Sequence, residues 1–383
     1  MRQYIFAAAV VRRDRRAYHA GMAGPEIHDE SAAGAVSAGS GGLAALPADV
    51  AGELAALADR SAEEGPWASG GMTLLAHRGV LARFIPADCG GSAADEPTLI
   101  ATLEAIAATC LTTALAVSQW AAAVRIIATA DAAVRESLLP ALARGETFTT
   151  VGISQLTTSR QHLGRPVLVA ERRPEGWRLD GLCPWVTGAD ACDTIVTGAA
   201  TSDGGQLFFV VPTAAAGIEI DPPLQMLALS GSRTAVVRFA AAAPAHVIEP
   251  PERNAARTGG LSTSALALGT ARAAVGIVSG EAARRDALEP IAAGLERELA
   301  GLESRLQRAA HDGIASADRD TLRGDANDLV LRAAQAALTA SKGAGFVKGH
   351  PTERLVRESL FFLVWSCPQS VTTARLCELA GVS

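Results

Sequence analysis

With 383 residues, the chain is long enough for two or three domains with sizeable cores. A composition 49% hydrophobic and 19% charged excludes a disordered chain, and a formal net charge of −6 excludes nucleic-acid binding through a broad basic face. The 6 cysteines form no C-x-x-C pair, and His162, His246 and His350 lack ligand spacing, so no metal site is expected. Reduced thiols and a cytoplasmic location are expected instead.

Residues 1–44 are expected to form a flexible N-terminal extension. The apolar run in MRQYIFAAAVVRRDRR is too short to cross a bilayer, and residues 32–42 are Ala/Gly/Ser-rich, as in a linker. No transmembrane helix and no membrane partner are expected elsewhere. Over 45–147 the pattern is helical. Pro47 and Asp49 suit a helix start, and LPADVAGELAALADRSAEE carries apolar residues at helical spacing. A second helix is expected around 71–80, before a break at Pro86, Gly90 and Gly91. EPTLIATLEAIAATCLTTALAVSQWAAAVRIIATA reads as two long, largely buried helices, and ADAAVRESLLPALARGE as another, ended by Gly145.

The texture changes at about Phe148. TFTTVGIS, PVLVAERR, GWRLDGLCPWVTGA, DTIVTGAAT, GQLFFVVPT and AVVRFAAAA are short β-type runs, which gives a compact β domain over 148–254. The helical pattern resumes over 255–383, with helices expected at 262–286, 289–311, 316–342 and 351–381. The first three are long, amphipathic and Ala-rich, as in a four-helix bundle. The expected fold is α+β: an N-terminal helical domain, a small central β domain and a C-terminal four-helix bundle.

That order, with four local strings, resembles the acyl-CoA dehydrogenase family over residues 45–383. The strings are GVLARFIPADCGGSAADEPTLIATLEAIA, GWRLDGLCPWVTGADACDTIVTGA, LALSGSRTAVVRFAAAAPAHVI and KGAGFVKGHPTERLVRES. The resemblance implies FAD as cofactor and an acyl substrate carried on CoA or a carrier protein. It implies a homodimer or homotetramer, or a hetero-oligomer with a homologue. Trp185 would pack on one face of the isoalloxazine, and Thr187 would offer its hydroxyl to the flavin N5 edge. The plain alternative is an ordinary strand with Trp185 inward and Thr187 outward. Ile153, Ser154 and Ser159 stand where the family's flavin-contacting loop lies, the serines supplying hydroxyls. Arg284 stands at the position of an arginine that reaches the FAD pyrophosphate of a neighbouring subunit; the alternative is a solvated helix arginine. Gly343 and Gly345 match glycines that let the dinucleotide lie against the neighbouring bundle, or else they cap a helix.

The departure from the family lies at the base. Its desaturases use a glutamate to remove the substrate α-proton. Counting from Arg357, that position falls in Trp365-Ser366-Cys367-Pro368, on Ser366. The family's other base position falls near Gly259, again without a carboxylate. A serine hydroxyl is a poor general base at pH 7. FFLVWSCPQS carries no cation to favour a Cys367 thiolate. Glu358 falls at a position the family uses structurally. Three readings stay open: a desaturase with a relocated base, a flavin-dependent monooxygenase on the same fold, and a non-catalytic partner of a complete homologue.

Overall fold

The computed structural model describes residues 46–157, 166–249, 260–365, 367 and 369–382. The expectations placed on residues 1–44, Ser159, Gly259 and Ser366 fall outside them. Five helices come first: α1 Ala48–Glu64, α2 Gly71–His77, α3 Glu96–Thr109, α4 Leu111–Ile127 and α5 Ala132–Arg144. Their ends follow local chemistry. Asp95 and Asp131 accept the backbone N–H of Thr98 and Val134, which caps α3 and α5. Gly145 closes α5 in the left-handed region, with φ 67°. α3 and α4 are apolar almost all round because both lie inside the helical core.

The β region forms one 8-stranded sheet. Its strands are β1 Thr149–Gly152, β2 Leu168–Arg173, β3 Gly176–Val186, β4 Thr194–Thr201, β5 Gln206–Pro212, β6 Ile218–Ile220, β7 Ala235–Ala242 and β8 His246–Ile248. Their order is β6-β7-β3-β2-β4-β5-β8, and β1 pairs with β4 in parallel. β4 and β5 read as near-continuous hydrophobic runs because both of their faces are covered. Ile195, Phe209 and Val211 enter a core within the sheet region, while Val196, Phe208 and Val210 join the helical core. β6 and β8, which the sequence reading did not find, have three residues each. That is too short for alternation to register. TFTTVGIS is not strand throughout: β1 stops at Gly152, and Ser154–Thr157 forms a single helical turn, α6.

The C-terminal region holds α7 Leu261–Ala282, α8 Glu289–Asp312 and α9 Ser316–Ser341. The helix expected over 351–381 is interrupted. α10 Pro351–Ser359 tightens into a 3₁₀ turn at Leu360–Leu363, and helix resumes only as α11 Gln369–Ala380. Pro368 accounts for the resumption point, because a proline disfavours helical backbone at the residue before it. By length and composition alone α7 could cross a membrane, contrary to the expectation, but it is mostly buried within the protein. It packs against α3 and α9. The order of helices, sheet and helices is the α+β architecture expected from the sequence.

Candidate functional site

The end of β3 departs from ordinary alternation. Its register against β7 shifts between Cys183 and Val186, a bulge that includes Pro184, which has no N–H to give a ladder. The shift turns Trp185 outward, 49% exposed, while Thr187 is only 6% exposed. The plain alternative, Trp185 inward and Thr187 outward, is therefore reversed. An indole ring stands half open at the surface of a rigid sheet.

Thr187 begins a line of hydroxyls. Its Oγ1 lies 3.1 Å from Thr234 Oγ1, which lies 2.8 Å from Ser232 Oγ. Each hydroxyl carries one hydrogen and two lone pairs, so Thr187 retains capacity for another partner. The turn after Thr187 is locked from two sides. Gly188 has φ 65°, and a Cβ there would come within 2.2 Å of the Trp67 ring. Arg233 Nε donates to Asp190 Oδ1 at 2.9 Å, and its Nη2 bonds Asp190 Oδ2. This bidentate pair holds the Arg233 guanidinium above its ordinary pKa.

Ile153 and Ser154 are half-buried at the junction of β1 and α6, while Ser159 lies outside the described residues. Gln155 anchors this junction, a role the sequence reading missed. Its Nε2 donates to Gly198 O at 2.9 Å and Thr197 Oγ1 at 3.2 Å, and its Oε1 accepts from the Cys183 thiol at 3.0 Å. The signal was present: a lone amide in an otherwise apolar and hydroxylated stretch needs several partners once buried.

Arg284 sits just beyond α7 with its side chain 79% exposed, loosely paired with Glu281 at 3.5 Å. Its neighbour Arg285 is used internally, donating to Ala340 O and pairing with Glu281. Gly343 and Gly345 lie in a 3₁₀ turn, Lys342–Phe346, after α9. They differ in kind. A Cβ on Gly343 would meet nothing within 4 Å, whereas on Gly345 it would come 2.7 Å from Ser341 Cβ. Gly345 thus has a packing reason of its own. Among the described residues, no hydrogen bond or ion pair joins the Trp185 hairpin to Arg284, Gly343 or Gly345.

Ser366 lies outside the described residues, but its neighbours are described. Trp365 stacks on Phe361 with ring centroids 5.1 Å apart. Cys367 lines a cavity of about 370 Å³ together with Asn327, Phe362 and Arg375. Arg323 of α9 is buried here, donating to Trp365 O at 3.0 Å beside the Phe362 and Trp365 rings, and sequence distance hid it. Glu358, on α10, is 3% exposed, and burial pushes its carboxyl up to about 7 against the nearby Arg354. Among the described residues, no group of three or more His, Cys, Asp or Glu is placed to hold a metal ion.

Residues 48–146 match the family model for the acyl-CoA dehydrogenase N-terminal domain. No curated protein is significantly similar to the chain. Solved structures are similar along nearly the whole length. A glutaryl-coenzyme A dehydrogenase in complex with glutaryl-CoA has a TM-score of 0.73 and 17% identity, covering 88% of this chain and 96% of its own. Butyryl-CoA dehydrogenase from Megasphaera elsdenii has a TM-score of 0.70 and 17% identity, covering 86% and 99%. A nitrososynthase from Micromonospora carbonacea var. africana has a TM-score of 0.71 and 20% identity, covering 87% and 94%.

Proposed function

We propose that this chain, whose residues 48–146 match the acyl-CoA dehydrogenase N-terminal family model and whose fold is similar to that of a glutaryl-coenzyme A dehydrogenase over 88% of its length, is a flavin-dependent oxidoreductase acting on an acyl thioester or a related apolar substrate. The observation that carries the proposal is Trp185. A large aromatic ring 49% exposed at the end of a rigid strand, beside a line of hydroxyls, suits a planar polar-edged ring system. A bound flavin supplies a two-electron acceptor. Trp185 would pack against it, and Thr187, steadied by Thr234 and Ser232, would offer it a hydroxyl. Arg284 and Gly343 would serve the pyrophosphate and adenine of a cofactor bound to a neighbouring copy, as a homodimer or homotetramer requires. Arg284 is exposed enough for this, and Gly343 has open space around it.

A second reading is a flavin-dependent monooxygenase. It is favoured by residues 360–368, LFFLVWSCP, which hold no carboxylate to remove an α-proton. A nitrososynthase also stands among the similar structures.

The test begins with FAD or FMN added to the full chain, read by flavin absorbance and fluorescence. We expect stoichiometric binding, weakened about tenfold by Trp185→Ala, the value of one good aromatic contact. Failure of both flavins to bind would sink the proposal and leave the non-catalytic partner reading. Anaerobic bleaching by acyl-CoAs supports desaturation. Turnover only with a flavin reductase and O₂ supports the second reading.

A further inference from the structure

α10 does not run on into α11, and two carbonyls of the turn that ends it are taken by side chains of α9. Arg323 Nη2 donates to Trp365 O at 3.0 Å, and Asn327 Nδ2 donates to Phe362 O at 2.9 Å. The two donors stand one turn apart on one face of α9. Both are buried, 1% and 7% exposed. The Arg323 guanidinium also lies 5.9 Å from the Phe362 ring centre and 5.7 Å from that of Trp365. Phe361 and Trp365 stack with their planes 18° apart, and both are half-buried. The turn thus carries two nearly parallel rings, clamped to α9 at two points.

Stability alone does not account for this clamp. Among the described residues no carboxylate pairs with Arg323, and its Nε and Nη1 have no hydrogen-bond partner. Burial pulls its guanidinium below the ordinary pKa. A buried cation without an anion is more costly than a well-packed apolar side chain of similar size. What the cation does provide is direction, since a planar fork set on a carbonyl and two rings fixes where the turn points.

The turn lies one loop away from the candidate site. Arg357, one helical turn before Phe361, donates from Nη1 to Leu227 O at 3.3 Å. From Leu227 the loop continues to Ser232, whose carbonyl accepts from Gly188 N at 2.9 Å. Ser232 Oγ lies 2.8 Å from Thr234 Oγ1, which in turn reaches Thr187. We propose, resting on the reading of Trp185 and Thr187 as a flavin site, that Arg323 and Asn327 are positioning residues that hold the Phe361–Trp365 pair as an apolar wall of that site. Two stacked, uncharged rings suit contact with a planar ring system. The C-terminal bundle then contributes to cofactor binding through two side chains that never touch the cofactor.

The test measures FAD and FMN affinity of the full chain by absorbance and fluorescence titration, beside its midpoint in urea. Arg323→Met and Asn327→Leu each remove one donor and keep an apolar side chain in its place. Each is expected to weaken flavin binding about fivefold, the value of one net hydrogen bond. The urea midpoint of Arg323→Met is expected not to fall, because an unpaired buried cation is removed with the bond. Arg323→Lys keeps the charge and a donor, and it should recover part of the affinity. In a double-mutant cycle, Arg323→Met should weaken binding no further once Trp365→Ala has removed the ring. A wild-type chain that binds neither flavin would overturn the flavin reading and this proposal with it. Flavin bound equally well by wild type and by folded variants would overturn this proposal alone. So would weaker binding that only follows a fall in the urea midpoint. Should Arg323→Met not fold, Asn327→Leu, which removes no charge, decides.

Discussion

At the scale of single residues, the chemistry at the β3 hairpin rests on one hydroxyl. Thr187→Val keeps the shape of the side chain and removes its hydrogen-bonding atom. Thr234 keeps Ser232 at 2.8 Å, so the pair behind Thr187 survives. The thermal midpoint should fall little, since one net hydrogen bond is worth about 1 kcal/mol. Flavin affinity should fall by about threefold to tenfold, with a shift in the reduction potential of bound flavin, measured by spectral titration against a reference dye. A variant with unchanged affinity and potential would remove Thr187 from the site. The residue types of this hairpin were legible in the sequence, but their directions were not. Strict alternation would have buried Trp185; the bulge at Pro184 reverses it, and a bulge depends on pairing with β7, a distant strand. The buried cation beside Phe362 and Trp365 was hidden for the same reason, since no part of FFLVWSCPQS points to Arg323 on α9.

At the scale of elements, α7 shows how composition becomes packing. Its glycines are not equivalent. A Cβ at Gly269 would lie 2.2 Å from Glu104 O and 2.8 Å from Ala107 Cβ, so Gly269 sets the closeness of α7 to α3. A Cβ at Gly276 meets nothing within 4 Å. Both substitutions to alanine gain helix propensity, about 1 kcal/mol each. At Gly269 that gain is outweighed by overpacking against backbone, typically about 1–3 kcal/mol or more. Gly269→Ala should therefore lower the denaturation midpoint, and Gly276→Ala should raise it, both read by urea titration. Equal responses would show that α3 and α7 have room to part. Long helices of this kind were legible because their periodicity or apolar run is long. The broken last helix was not, because LFFLVW continues the apolar pattern up to Pro368. Three-residue β6 and β8 left no pattern to read.

At the scale of the whole molecule, the N-terminal helices and the C-terminal bundle are tied by buried charge. Arg272 of α7 binds Glu104 of α3 at 2.7 Å and Glu303 of α8 at 2.6 Å. One cation cannot neutralise two carboxylates. Burial and the neighbouring Glu104 keep Glu303 protonated well above the usual carboxylate range, against the pull of Arg272. Glu358 is raised in the same direction, to about 7, chiefly by burial. In both cases the native state holds a proton that the unfolded chain releases near pH 4–5. Stability from these groups is thus complete below that range and is lost as pH rises through the folded-state values, near 7 for Glu358. The exposed acids Asp49, Asp95 and Glu146 are lowered by hydrogen bonds to backbone, hydroxyl or arginine groups, and they act in the opposite sense at acid pH. Variants separate the two. Glu358→Gln and Glu303→Gln keep side-chain volume and abolish the titration. Between pH 5 and pH 8.5 the wild-type midpoint in urea should fall, and each variant should fall less. At pH 8.5 each should be the more stable protein, by up to a few kcal/mol. The gain should be smaller for Glu303→Gln, because Arg272 loses a partner there and keeps only Glu104. Variants that track the wild-type slope across this range would mean that both carboxyls ionise at their ordinary values, and that solvent reaches α3, α8 and α10 where the native packing excludes it.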